Sequence, residues 1–475
     1  MSFGIVSEQN FPELLRYIEG NCPALYRTLV EMPVTRGRKL VQRFVTSAYA
    51  SAQDFALLSQ SPGVLARAAD LFEYSPFLGE LLIRHPDEIA ELAELPAGGE
   101  ALAVEQQARI PAEAAYTVED DPVLMHIASS DAPLNEKMAT MRRHYRRRLL
   151  RVHAHSLLGP VPVFSTLEAT SVLAEQVLRA AYVAAVKETA RTLPRPAGDL
   201  TVIALGRLGI REFDIASDAD LAFLYSGGDP EAKFFWSRVA ERIIEIMSAY
   251  TGEGAIFAVD TRLRPRGREG ELVDGEAAFA QYFASEAQPW EAITYMKSRV
   301  VAGEVAEGTV VLTRIQNTIG ERFGRGVEAA RKLAEMRKRL EGLADPNHLI
   351  KSAPGGYYDI DFILTYLRLQ AAQVFFPSLT TLERLRVVEW MGQLRPDQAR
   401  VLREGAVFLR AVSHALRVST GRSDAELPPP GPRAEPFTRL VERWFPENLR
   451  GRPIEESLES VMAAVRGVFQ QVFAV

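Results

Sequence analysis

TVIALGRLGIREFDIASDADLAFLY, residues 201–225, decides how this chain is read. An apolar strand, Thr201 to Leu205, runs into a turn punctuated by Gly206 and Gly209, and a second strand opens with Ser217-Asp218-Ala219-Asp220. Side chains two apart on a strand share a face, so Asp218 and Asp220 project together at about 6.5–7 Å along the backbone. Two carboxylates on one face repel each other and lower strand propensity, a local cost that asks for a positive partner. A divalent cation is the natural one, and Mg2+ takes one or two carboxylates together with substrate phosphates. The pattern points to metal-assisted phosphoryl or nucleotidyl chemistry.

Further along, Ala255 to Leu263 reads as another strand, carrying Asp260. If it pairs with the Asp-x-Asp strand, Asp218, Asp220 and Asp260 converge, and such a set can hold two Mg2+ ions about 3.5–4 Å apart. Gly206 and Gly209 allow a backbone turn to approach phosphates with its amides facing the anion. Arg262 and Arg264 follow Asp260 at two-residue steps, so on an extended strand they share its face and are placed to contact phosphate. The plainer alternative is an acid pair at a strand end, with the glycines merely serving the turn. Ser217, the glycine turn and the third acid together weigh against it.

The remainder of the 475 residues is mostly helical in pattern. Apolar residues recur at three- and four-residue spacing from Phe11 to Leu95, from Leu134 to Leu158 and from Leu167 to Arg191. Ser165 and Glu168 have capping-box spacing before the last of these. Helical periodicity returns at Phe234–Tyr250, Glu276–Ala287, Trp290–Ser298, Val327–Leu343, Tyr358–Gln373, Arg395–Arg417 and Ile454–Phe473. Breaks fall at Leu95–Pro122, Asp345-Pro346 and the proline-rich Leu427–Arg433. The expectation is an α+β, mostly helical fold: an N-terminal helical region over 1–160, a catalytic domain with a small sheet and helices over 161–305, and a C-terminal helical bundle over 306–475.

Composition narrows the function classes. Hydrophobic residues make up 47% and charged ones 24%, ordinary for a globular chain, and a net charge of −6 gives no general attraction to nucleic acid or anionic membrane. One cysteine, Cys22, rules out an intrachain disulfide and fits a reducing cytosol. No apolar run reaches the roughly 18 residues that span a bilayer, so a cytoplasmic protein is expected. Arg142, Arg143, Arg146, Arg147, Arg148 and Arg151 crowd one predicted helix; pairing with nearby acids is favoured over an anion-binding surface. Trp290, on an amphipathic helix, is expected in the core. Lys297, Arg299 and Lys351 are open to phosphate binding or to ion pairing, whereas Asp359 and Asp361, two apart on a helix, diverge and read as structural.

GRLGIREFDIASDADLAFLY resembles the signature of the glutamine synthetase adenylyltransferases, G-[KR]-L-G-G-x-E-L-x-x-x-S-D-x-D-L. The resemblance continues through YSPFLGELLIRHP at 74–86, VDTRLRPRGREGELV at 259–273, Trp290-Glu291 and IKSAPGGYYDIDF at 350–362. It implies an enzyme that moves AMP from ATP to a tyrosine of glutamine synthetase. By the same resemblance the small sheet is a mixed one of nucleotidyltransferase type, Asp218, Asp220 and Asp260 are catalytic and hold Mg2+, and Gly206 and Ser217 shape the nucleotide pocket, to which Arg207, Gly209, Arg262 and Arg264 are the further candidates. A nitrogen-status signalling protein is the further partner implied. Family members typically carry two such modules; one is found here. Ile210 stands where the pattern has a second glycine, which should stiffen the phosphate turn, and Arg207 stands in place of a common lysine. APGG is similar to the AMP-removing half, VDTRLRP and YYDIDF to the AMP-adding half, so phosphorolytic removal stays open, as does a non-catalytic nucleotide-binding scaffold.

Overall fold

Strand β1, Leu200–Ala204, is buried along its whole length, and β2, Ala219–Tyr225, is nearly so. They run antiparallel, with Leu200 opposite Tyr225 and Ala204 opposite Leu221. Val202, Ile203, Leu221, Ala222, Phe223 and Leu224 are enclosed on both faces, which explains why the two strands are continuous apolar runs rather than alternating ones. Strand β3, Val259–Asp260, pairs in parallel with the start of β2, and β4, Val273–Gly275, pairs in parallel with its end. Strand β5, Arg299–Gly303, closes the other side, antiparallel to β1 and with an irregularity between Val202 and Ile203. The sheet is therefore mixed and five-stranded, in the order β3-β2-β1-β5 with β4 beside β2. The expectation of an α+β, mostly helical chain with a small mixed sheet holds.

The computed structural model describes residues 11–96, 102–108, 118–159, 161–227, 229–324, 327–342, 349–371, 380–423, 427–429, 431, 434–449 and 451–473. The break at Asp345-Pro346, half of the Leu95–Pro122 segment and part of the proline-rich connector lie outside them. By contacts the chain divides into two units, one holding 1–107, 147–166 and 411–454, the other holding 108–146, 167–410 and 455–475. The first is wholly helical among its described residues. Within it, the buried Glu73 carboxylate accepts the amides of Thr35 and Arg36 at 3.0 and 3.1 Å, and Ser75 Oγ donates to Val418 O at 2.6 Å.

The second unit contains the sheet. The parallel step from β2 to β3 needs a crossover, and the Pro230–Ser248 helix supplies it. Asp229 caps this helix by accepting the Glu231 amide at 3.0 Å, and Pro230 follows where no amide is required. Phe235, Trp236, Val239, Ile243, Ile246 and Met247 form its buried stripe, each worth about 1.5–3 kcal/mol when fully enclosed, and it packs against β2, β3 and β4. The Tyr357–Ala371 helix is gripped by the 305–323, 327–342 and 381–390 helices. Its Asp359 and Asp361 are structural, as expected. Asp359 is fully buried and accepts from Arg337 Nε at 2.6 Å and the Gly355 amide at 2.8 Å, with Arg466 at 3.1 Å. Asp361 takes Lys297 at 3.0 Å, with Arg384 at 3.7 Å.

The arginine-rich helix spans Leu134–Leu158; Arg146, Arg147 and Arg151 pair with acids as expected, whereas Arg142 is buried and meets carbonyls instead. Arg142 donates to Ile246 O and Ala249 O, Arg146 meets Glu253 at 3.1 Å, Arg147 meets Asp87 at 2.6 Å and Arg151 meets Glu94 at 3.4 Å. Three expectations need correction. The helix after the Gly159 break begins at Val163, so Ser165 and Glu168 are already inside it and form no capping box. Trp290 is 42% exposed and not a core residue. The strand expected over Ala255–Leu263 is confined to Val259–Asp260.

No helix among the described residues is long and apolar enough to cross a membrane. Removing one partner of a buried ion pair costs far more than breaking an exposed one. Arg337→Met should therefore lower stability by about 3 kcal/mol or more, whereas Arg400→Met, which breaks an exposed pair with Glu404, should cost no more than about 0.5 kcal/mol. Thermal melts of the two variants test this, and equal shifts would refute the role given to Arg337.

Candidate active site

Asp220 and Asp260 face each other as register partners of the β2–β3 ladder. Asp218 lies just before β2 and is exposed, and its charge acts on Asp220. The structure thus brings the three acids into one cluster at the shared start of two parallel strands. Burial and then the neighbouring Asp260 carboxylate push Asp220 up to about 6, Asp218 adding to the rise, while Lys351 and Arg262 oppose it. Asp260 goes the other way: its hydrogen bond from Arg262 Nε, at 2.7 Å, holds it below the ordinary carboxylate range.

The turn between β1 and β2 sets the floor of this cluster. Gly206 has φ +55°, and a Cβ there would stand 2.4 Å from Asp220 Oδ2, so only a bare backbone fits against that carboxylate. Gly209 is needed for a different close approach: its Cβ would meet Lys297 O at 2.4 Å. Ile210, at the position of the family pattern's second glycine, is buried with φ −102°, a conformation open to any residue. Left-handed backbone occurs instead at Arg211 (φ 53°) and Ala216 (φ 55°), a conformation that costs a non-glycine residue about 1–3 kcal/mol and persists only where surroundings impose it.

Glu212 imposes it. Its side chain is fully buried and accepts from Arg410 at 2.6 Å, Tyr357 Oη at 2.8 Å and the Thr381 amide at 2.8 Å. Burial holds the Tyr357 phenol well above its ordinary pKa, so it stays a donor, and the Arg410 guanidinium lies 3.4 Å over its ring. Sequence reasoning missed this hub. Two signals were available: an acid flanked by Ile210, Phe213 and Ile215, and the glutamate that the family pattern carries at the Glu212 position.

The other proposed nucleotide-site residues are distributed unequally. Ser217 is buried beside Asp218 and donates its amide to Asp214 O at 3.1 Å. Arg207 turns back to Glu212 O at 2.9 Å and Asp214 at 3.3 Å. Arg262 and Arg264 do not continue a strand, because Asp260 Oδ1 accepts the Arg262 amide at 2.8 Å and closes a turn there. Arg262 remains at the cluster through its own pairing with Asp260, but Arg264 spends its donors on Thr261 O, Gly270 O and Arg268 O of its own loop. Glu291 is buried, accepting from Tyr282 Oη at 2.6 Å and the Gln288 amide at 2.8 Å.

All-oxygen carboxylate donors of like charge, one of them driven toward protonation by burial and then by its neighbours, fit a divalent cation of the Mg2+ type. Asp218, Asp220 and Asp260 are the residues that would hold it.

The profile described as glutamate-ammonia ligase adenylyltransferase matches residues 65–313, more than half of the chain. The chain belongs to that family. A second profile, GlnD PII-uridylyltransferase, matches residues 327–473. Among relatives, a bifunctional glutamine synthetase adenylyltransferase/adenylyl-removing enzyme of Thioalkalivibrio sulfidiphilus is 29% identical over 84% of this chain and 41% of its own length. One of the same description from Nocardia farcinica is 29% identical over 95% of this chain and 45% of its own, and one from Mycobacterium bovis 28% over 86% and 41%. This family member therefore spans less than half the length of these curated relatives.

The raised Asp220 carboxyl has a consequence for stability. The folded chain holds that proton more tightly than the unfolded chain, whose aspartate has its ordinary pKa near 3.8, so the metal-free fold loses stability as pH rises through about 6. Asp220→Asn removes this cost. The variant should melt a few degrees above the parent at pH 8 without metal, with the gap narrowing below pH 6. A lower melting temperature at pH 8, or a gap that widens in acid, would show that Asp220 is not under this electrostatic load.

Proposed function

We propose that this chain is a Mg2+-dependent nucleotidyltransferase of the cytoplasm that transfers AMP from ATP to a tyrosine of glutamine synthetase. The observation that carries the reading is the register pairing of Asp220 with Asp260, Asp218 alongside, over the bare backbone of Gly206. When bound, magnesium offsets the charge of the triphosphate and so lowers the barrier to attack at phosphorus. The chain's own part is positioning. Asp218, Asp220 and Asp260 hold the cation at one sheet edge, and the Gly206 turn lets the nucleotide come against the backbone. The Glu212 hub keeps that turn from relaxing. The tyrosine hydroxyl attacks the α-phosphorus in line, the new O–P bond forming as the bond to pyrophosphate breaks, and its proton passes to a carboxylate of the cluster. Part of the required charge complementarity is already present, since Arg262 balances Asp260.

The relatives named above are described as both adenylyltransferase and adenylyl-removing, and phosphorolytic removal of AMP, with phosphate as the attacking group, would use the same acids. A nitrogen-status signalling protein is the regulatory partner this reading favours. The test is label transfer from α-labelled ATP to glutamine synthetase with Mg2+, run beside phosphate-dependent release of ADP from the modified protein. The parent chain should support transfer, while Asp218→Asn and Asp220→Asn should reduce it by at least about a thousandfold with the circular dichroism spectrum retained. Persistent transfer in the double variant would remove the acids from the mechanism, and ATP binding without turnover in either direction would make this chain a scaffold.

A further inference from the structure

We propose that Lys351 belongs to the nucleotide site and contacts the polyphosphate of the bound triphosphate through its ammonium group. This rests on reading the acid cluster as a nucleotidyl-transfer site.

Six cations compete for that role, and five already have partners. Arg207 is taken by Glu212 O and Asp214, and Arg264 by the carbonyls of its own loop. Arg262 is held by Asp260, Lys297 by Asp361 at 3.0 Å and Arg299 by Glu175 at 2.6 Å. Lys351 differs. It is exposed, and among the described residues no carboxylate or carbonyl partners its ammonium group, which stands 5.3 Å from the ring centroid of Tyr358. An ammonium resting on an aromatic face is oriented while keeping its donors available.

Its location follows from the backbone that carries it. Lys351 lies on the single helical turn Leu349–Ser352, and the segment after it is fixed at several points. Arg337 donates to Ala353 O at 2.8 Å, the Gly355 amide donates to Asp359 at 2.8 Å, and Tyr357 donates to Glu212 at 2.8 Å. The last contact ties this segment to the turn that ends in Asp218. Lys351 thus sits on a segment anchored to the acids' own turn, and its charge bears on Asp220 without an ion pair between them among the described residues. A cation near the acids yet outside ion-pair distance of them is placed to meet an anion that arrives there. Lys351 lies beyond residues 65–313 and within 327–473, so the nucleotide site draws on both matched segments.

The experiment uses the full chain and MgATP, with affinity read by calorimetry for the parent, Lys351→Met and Lys351→Arg. Lys351 is exposed, so both variants should melt with the parent. Loss of one charge-assisted contact should weaken MgATP binding by roughly ten- to a hundredfold in Lys351→Met, and Lys351→Arg should recover most of it. Unchanged affinity in Lys351→Met, or equal loss in both variants, would overturn the assignment while leaving the acid cluster intact. A parent chain that does not bind MgATP would sink the nucleotide-site reading itself, and this inference with it.

Discussion

The enclosed carboxylate of Glu212 is the constraint on which the site depends. It draws donors from the Tyr357–Ala371, Thr381–Trp390 and Pro396–Thr420 helices onto a single side chain in the β1–β2 turn. A buried carboxylate so far from water is tolerable only when each oxygen is satisfied. The converse also holds. With its donors anchored in packed helices, Glu212 cannot move without leaving them unpaired, and so the left-handed Arg211 and Ala216 on either side are held in place. The position of Asp218 and the approach of Gly206 to Asp220 follow from that immobility.

Much of this was legible in the residues themselves. Asp-x-Asp inside an apolar strand is a conflict between local propensity and charge, and such conflicts mark functional positions. The pairing of Asp260 with that strand stayed a condition, because a single aspartate in an apolar run carries no record of which strand lies beside it. The length of β3 was not legible either, because it ends at a turn closed by the Asp260 side chain, an event that strand periodicity does not record. Arg207 and Arg264 illustrate a second limit: sequence shows that a cation is present but not which acceptor lies nearest in space. Glu212 shows a third. A lone acid in a turn has no periodic partner, and its four contacts come from positions more than a hundred residues away. The pairing of Arg146, Arg147 and Arg151 was read correctly because acids abundant elsewhere in the chain make pairing the default.

The helices around the sheet distribute charge by the same rule. On the 357–371 helix, Asp359 and Asp361 point apart, one toward Arg337 and Arg466, the other toward Lys297 and Arg384. One helix thereby fixes the C-terminal helix on one side and the residue next to the start of β5 on the other. Buried pairs of this kind add little net stability, but they penalise every alternative packing that separates the partners.

Because β2 and β3 run the same way, their acids meet at a common end, and the connection between them leaves from the opposite end and returns across one face, where Ala258 O accepts the Ala219 amide at 2.8 Å. Length added where the chain leaves β2 alters how far the chain travels and not where it returns. The exit from β2, after Tyr225, is accordingly where a foreign domain or reporter can be inserted at the end away from the acids. The fourteen residues between β1 and β2 have no such freedom.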